Sequence, residues 1–127
     1  MEQHPSWRVL VVEDHVDTAD MVADFLGLEG FTVTHARTGQ AALDRLDRGD
    51  RPDVILLDML MPLMDGPAFA AAYRARPGPH APIIVMTAST SLAEAIAAVQ
   101  PMGVLQKPFE IADLLAVLHR TLGRQDT

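Results

Sequence analysis

Five side chains carry the chemistry open to this sequence: Glu13, Asp14, Asp58, Thr87 and Lys107. Each stands at the end of a short apolar run, in "RVLVVED", "VILLD", "PIIVMT" and "VLQK". Three carboxylates gathered at one place repel one another, and ionising all of them is costly. A hard divalent cation relieves that repulsion. Mg²⁺ takes oxygen ligands, keeps several waters, and is often shared between a few carboxylates and a phosphate. Lys107 adds a point charge on a flexible stem, suited to a phosphoryl oxygen, and Thr87 adds a hydroxyl donor. These are the parts for moving a phosphoryl group onto a carboxylate, where positioning and charge neutralisation do most of the work. Taken singly, each has a plainer reading: an acid that ends a strand, a Lys-Pro loop, a buried hydroxyl. Four run ends of suitable type in one chain make the chemical reading the stronger one.

Those residues have to be brought together by the elements that carry them. "RVLVVED" (8–14), "PDVILLD" (52–58) and "PIIVMTA" (82–88) read as strands apolar on both faces, "FTVTHA" (31–36) as a strand with one wetter face, and "VLQK" (104–107) as a short strand. Helices are expected between them. Residues 16–28 place Val16, Ala19, Met21, Val22, Phe25, Leu26 and Leu28 at helical spacing, with Gly30 as the stop. Thr38 is a candidate cap for "GQAALDRLDRG", whose stripe is Ala41, Ala42, Leu43 and Leu46, and Gly49 ends it. "GPAFAAAYRAR" (66–76) tolerates Pro67 in its first turn, "SLAEAIAAVQ" (91–100) stops before Pro101, and "EIADLLAVLHRTLG" (110–123) is amphipathic. The pattern is βα five times. It predicts an α/β fold: a parallel sheet with helices on both faces and right-handed crossovers. In such doubly wound sheets ligands bind outside the carboxyl ends of the strands, which is where the five side chains stand.

Composition agrees with one globular domain. The chain has 127 residues, 49% apolar, which excludes disorder and suffices for a real core. A net charge of −7 argues against direct nucleic-acid binding and against a membrane surface. Without cysteine there is no disulfide, thiolate catalysis or zinc–thiolate site, and a cytoplasmic setting is expected. The N-terminal "MEQHPSW" has no signal-peptide pattern, and no apolar run reaches the ~20 residues of a membrane span. The core is expected over about 8–122, with short polar tails at 1–7 and 123–127.

The runs "VVEDH", "ILLDMLMPLMDG", "MTAS" and "KPF", in that order, resemble the response-regulator receiver domain of two-component signalling, the CheY-like module. The resemblance covers about Arg8 to Leu122. It implies a five-stranded parallel sheet of order 2-1-3-4-5. It also implies a role for each matching position. Asp58 would accept a phosphoryl group from a phosphohistidine on a sensor histidine kinase or a histidine phosphotransfer protein. Asp14 would bind Mg²⁺ directly, Glu13 through water, and the backbone carbonyl of Leu60 would be a further ligand beside Asp58. Thr87 and Lys107 would each hold a phosphoryl oxygen, and Met61-Pro62 and Asp65-Gly66 would shape the loop after the acceptor. By the same resemblance the chain is not an enzyme acting on other molecules; it takes part in its own phosphotransfer and dephosphorylation. It would signal by conformational change to a protein partner, as a monomer or weak dimer. The short polar C-terminus suggests a stand-alone receiver, with a receiver cut from a hybrid kinase or larger regulator as the alternative.

Three positions depart from the family pattern. Val104 stands where an aromatic switch residue is usual and is too small for that role, which points to the loop 88–91 and the following helix as the readout. Leu60 and Ser89 occupy the positions that tune acyl-phosphate hydrolysis, and an apolar Leu60 implies slow self-dephosphorylation. A Mg²⁺-dependent aspartyl phosphatase is the rival of another class, but it expects a second acid where Leu60 stands. His15 is read as a solvated helix-start residue rather than a metal ligand. His4, His35, His80 and His119 lack metal spacing, Trp7 is expected to cover the bottom of the sheet or the terminus, and the seven methionines are expected as core filler, with Met59, Met61 and Met64 near the site partly exposed.

Overall fold

The computed structural model describes residues 6–88 and 93–125. Five strands alternate with five helices: β1 (Arg8–Val12), α1 (Val16–Leu28), β2 (Thr32–Ala36), α2 (Gly39–Asp47), β3 (Val54–Asp58), α3 (Gly66–Arg74), β4 (Ile83–Thr87), α4 (Ala93–Val99), β5 (Gly103–Gln106) and α5 (Ile111–Gln125). All strands pair in parallel, in the order β2-β1-β3-β4-β5. The expected α/β doubly wound sheet is therefore what forms.

Alternation along the strands divides the core in two. Val9, Val11, Val54, Leu56, Ile84, Met86 and Leu105 point to one face, against Ala19, Val22 and Leu26 of α1 and Leu114, Val117 and Leu118 of α5. Leu10, Val12, Ile55, Leu57, Ile83 and Val85 point to the other, against Ala42 and Leu43 of α2, Phe69, Ala70 and Tyr73 of α3, and Val99 of α4. This is why β1, β3 and β4 read as apolar on both faces: both faces are covered. The wetter β2 and the short β5 are the sheet edges. Trp7 packs against the α1–α5 side of the core, and its carbonyl accepts from the Thr32 N–H at 2.9 Å.

Local signals hold where a cap or turn is involved. Thr38 caps α2 by accepting from the Ala41 N–H, and Asp65 caps α3 by accepting from the Ala68 N–H. Gly30 and Gly49 have φ of 95° and 107°, which makes them the natural stops after α1 and α2. The strands are shorter than the apolar runs that contain them. β1 stops at Val12, because after the Glu13 N–H donates to the Ala36 carbonyl the chain turns into α1. β2 begins at Thr32, β3 at Val54 and β4 at Ile83, while β5 spans Gly103–Gln106 and leaves Lys107 outside the ladder. The helical ends shift by one to two residues, and the expected start of α4 at 91–92 lies outside the described residues. The apolar stripe of α1 is narrower than its composition suggests. Ala19, Val22 and Leu26 are buried, whereas Val16, Met21, Phe25 and Leu28 are exposed. A helix lying on a sheet covers one arc, and apolar residues beyond that arc stay wet.

Candidate functional site

The register of the sheet places the reactive groups side by side. Val12 pairs with Leu57, so Glu13 and Asp58 are neighbours one residue further along. Asp58 pairs with Met86, and Thr87 with Gln106, so Thr87 and Lys107 follow at the same edge. The Lys107 N–H donates to the Thr87 carbonyl at 2.7 Å, which fixes the lysine to the tip of β4. The peptide bond joining Lys107 to Pro108 is cis.

Within this cluster Glu13 is wholly enclosed, at 0% exposure, and Asp58 and Thr87 are buried. Lys107 Nζ donates to Glu13 Oε1 at 2.7 Å and lies 3.5 Å from Asp58 Oδ1. Burial pushes the Asp58 carboxyl up to about 7, helped by the hydrogen bond and charge of Glu13, while Lys107 and the Leu60 N–H pull the other way. The Glu13 carboxyl goes down: burial opposes its charge, but hydrogen bonds from Lys107, Asp58 and the His15 backbone outweigh it. Asp14 is more open, yet its Oδ1 is buried with no hydrogen-bond partner among the described residues.

Glu13, Asp14, His15 and Asp58 each offer one ligand atom, all within 4.8 Å of one another. An orphaned carboxylate oxygen beside two further carboxylates is a donor set that fits a hard divalent cation such as Mg²⁺. Sequence reasoning set His15 aside. Its side chain is indeed 71% exposed, but Nδ1 turns inward, 3.3 Å from Glu13 Oε2 and 3.5 Å from Asp14 Oδ1. The available signal was its position directly after the acid pair. His35 has a structural task that its isolation in sequence hid: Nε2 donates to the Glu13 carbonyl at 2.7 Å and steadies the turn that presents the acids.

The loop after Asp58 stays at the rim. Leu60 is 59% exposed, and its N–H reaches Asp58 Oδ1 at 3.5 Å. Leu63 has φ of 72° inside a tight turn closed by the Met64 N–H and the Pro62 carbonyl at 2.7 Å. Met59 and Met61 are buried rather than partly exposed, because they pack into the α2–α3 side of the core, and Met64 is half-buried there; Met21 and Met102 are exposed and are not core filler. Val104 is half exposed on β5, and Ser89 lies outside the described residues.

A cavity of about 810 Å³ lies at the opposite rim, among Asp47, Arg51, Arg74, Arg76 and His80. Much of its charge is committed: Arg76 pairs with Asp47 at 2.7 Å, and Arg74 donates to the Val99 and Gln100 carbonyls. No helix among the described residues is long and apolar enough to cross a membrane.

Comparison with known proteins agrees with this geometry. The family model for the response regulator receiver domain matches residues 9–119. Response regulator MprA of Mycolicibacterium vanbaalenii is 36% identical over 119 residues, 92% of this chain and 51% of that protein. The MprA of Mycobacterium tuberculosis is 36% identical over 121 residues, 94% of this chain and 52% of its own. The chain thus spans about half the length of the curated relatives it matches. Among solved structures, the chemotaxis response regulator CheY4 of Vibrio cholerae is 35% identical with a TM-score of 0.84, covering 93% of this chain and 100% of that one. The receiver domain of a sensor histidine kinase from Pseudomonas aeruginosa PAO1, with a magnesium ion coordinated in its active site cleft, is 30% identical with a TM-score of 0.84, covering 94% and 99%.

Proposed function

The chain belongs to the response regulator receiver domain family, and from that premise we propose that Asp58 is its phosphoacceptor, receiving a phosphoryl group from a phosphohistidine on a sensor histidine kinase or phosphotransfer protein. An Asp58 carboxylate oxygen attacks phosphorus as the phosphorus–nitrogen bond breaks. The electron pair returns to the partner's imidazole, which then takes up a proton, and an acyl phosphate remains on Asp58. The observation that carries this reading is the buried Asp58 beside an enclosed Glu13, an orphaned Asp14 oxygen and the Lys107 ammonium at one sheet edge.

Each residue has a task that follows from where it stands. Burial at the end of β3 holds the Asp58 carboxyl in one place, so little orientational freedom is lost on reaction. Glu13, Asp14 and Asp58 would hold Mg²⁺, with the Leu60 carbonyl as a further ligand. When bound, the cation neutralises carboxylate and phosphoryl charge. Lys107 lies close enough to Asp58 Oδ1 to reach a phosphoryl oxygen by a small stem movement. Thr87, buried at the end of β4, would donate its hydroxyl to another. Leu60 at the rim leaves an attacking water unheld, so self-dephosphorylation is slow. A small, half-exposed Val104 cannot swing inward as an aromatic would, and we assign the output to the connection from Thr87 into α4. If beryllofluoride shifts resonances in the pocket alone and none across residues 88–100, that output route is wrong. The setting is cytoplasmic, and the downstream partner is a protein.

The test is incubation with a small phosphodonor and Mg²⁺, followed by intact-mass measurement. One phosphoryl group per chain is expected, absent without Mg²⁺ and absent in Asp58→Asn. Continuous turnover of donor, or no uptake at all, would overturn the reading.

A further inference from the structure

Among the described residues, His15 adds an imidazole nitrogen to a candidate ligand group otherwise made of carboxylates. It is the N-cap residue of α1, yet its side chain makes no capping hydrogen bond. The ring is largely solvent-exposed and free to turn outward, but Nδ1 faces the acids, 3.3 Å from Glu13 Oε2 and 3.5 Å from Asp14 Oδ1. The Asp14 oxygen it faces is the buried atom without a hydrogen-bond partner. The His15 backbone N–H donates to Glu13 Oε2 at 3.2 Å, which locks the chain direction that aims the ring inward. The imidazole nitrogen belongs to the same group of ligand atoms, within 4.8 Å, as the carboxylates of Glu13, Asp14 and Asp58.

Ligand chemistry turns this placement into a consequence. Mg²⁺ is hard, favours oxygen and dehydrates reluctantly, so an imidazole adds little to its binding. Mn²⁺ shares the preference of Mg²⁺ for oxygen but dehydrates more easily and tolerates an imidazole, and the affinity for imidazole rises through the later first-row divalent ions. We propose that His15 ligates the pocket cation through its imidazole and makes this site selective for Mn²⁺ and later first-row ions relative to Mg²⁺. The inference rests on the reading that the acidic pocket holds a divalent cation. His15 is then a specificity-determining ligand, and phosphotransfer chemistry itself belongs to Asp58, Thr87 and Lys107.

The test uses the full chain loaded with Mn²⁺ alone. Electron spin echo modulation should show a nitrogen coupling that changes on ¹⁵N-histidine labelling and disappears in His15→Ala. In calorimetric titrations His15→Ala should lose affinity for Mn²⁺ on the order of ten-fold. Its affinity for Mg²⁺ should stay within about two-fold, because that ion draws on the carboxylates. Bound Mn²⁺ without nitrogen coupling, coupling that survives in His15→Ala, or equal losses for both ions would overturn the role of His15 while leaving the carboxylate site intact. No Mn²⁺ or Mg²⁺ binding to the unaltered chain would overturn both.

Discussion

Lys107 Nζ donates to Glu13 Oε1 at 2.7 Å, joining residues 94 positions apart across the edge of the sheet. The ammonium serves an enclosed carboxylate and stands 3.5 Å from Asp58, the proposed acceptor. If Lys107 also holds a phosphoryl oxygen on Asp58, as proposed, it would couple the stability of the fold to the chemistry of the site.

Removing the ammonium leaves Glu13 buried without its counter-charge. Breaking one side of such a pair is costly, and Lys107→Ala should lower unfolding free energy by about 3 kcal/mol near neutral pH. The Glu13 carboxyl is held below its ordinary value of 4.5 in the folded state. Its stabilising contribution is therefore present above 4.5 and fades as pH falls below it. Urea unfolding at several pH values should show the Lys107→Ala deficit shrinking in acid. A deficit that does not change with pH would mean that the pair is not what is lost.

Asp58 titrates in the opposite sense. Its folded value of about 7 lies above the ordinary 3.8. The stability this proton confers is complete below 3.8 and is lost as pH rises through about 7. A cation must displace the same proton, so apparent Mg²⁺ affinity should climb between about pH 6 and pH 7.5 and then level off. In Asp58→Asn the climb should flatten, and the Mg²⁺-free variant should melt higher than the unaltered chain above about pH 7, because one of the crowded charges is gone. Calorimetry and thermal melts at matched pH check both. An Mg²⁺ affinity independent of pH in the unaltered chain would contradict the raised carboxyl.

Much of this was legible in the sequence, because the signals were local. Continuous apolar, β-branched runs marked β1, β3 and β4, Thr38 marked the start of α2, and acids at strand tips marked the site, whereas the cap that Asp65 gives α3 was not read from the sequence. Long-range relations were less visible. Lys107 was recognisable as a candidate phosphoryl partner, but its pairing with Glu13 depends on how β1 and β5 sit in the sheet. The inward turn of His15 depends on the backbone bond to Glu13, and the task of His35 on its pairing beside Val11. The wet apolar residues of α1, such as Phe25, could not be told from buried ones, since periodicity gives a direction and not the width of the covered arc.

Leu60 tests the lifetime of the acyl phosphate. At 59% exposure its side chain is not plugging a gap in the core, so an amide should fit there without repacking. An asparagine could orient water toward phosphorus, and Leu60→Asn should shorten the phosphoryl lifetime on the order of ten-fold. Loss of labelled phosphoryl after removal of the donor measures it. An unchanged or longer lifetime would remove Leu60 from any part in hydrolysis.

Gly103 tests how β5 delivers Lys107. It pairs with Ile84 in the ladder, and a Cβ built there would lie 2.5 Å from Val117 Cγ2 on α5. That is closer than any ordinary contact, so Gly103→Ala must push α5 off the sheet or bend β5. Overpacking of this kind costs about 1–3 kcal/mol. Trimming the opposing side chain should relieve it: Gly103→Ala with Val117→Ala should be more stable than the sum of the two single losses predicts. Denaturant unfolding of the four proteins gives the coupling directly. Strict additivity would show that α5 does not rest on Gly103. Positive coupling would show that the close approach of α5 to β5, the strand leading into Lys107, depends on a residue with no side chain at that point.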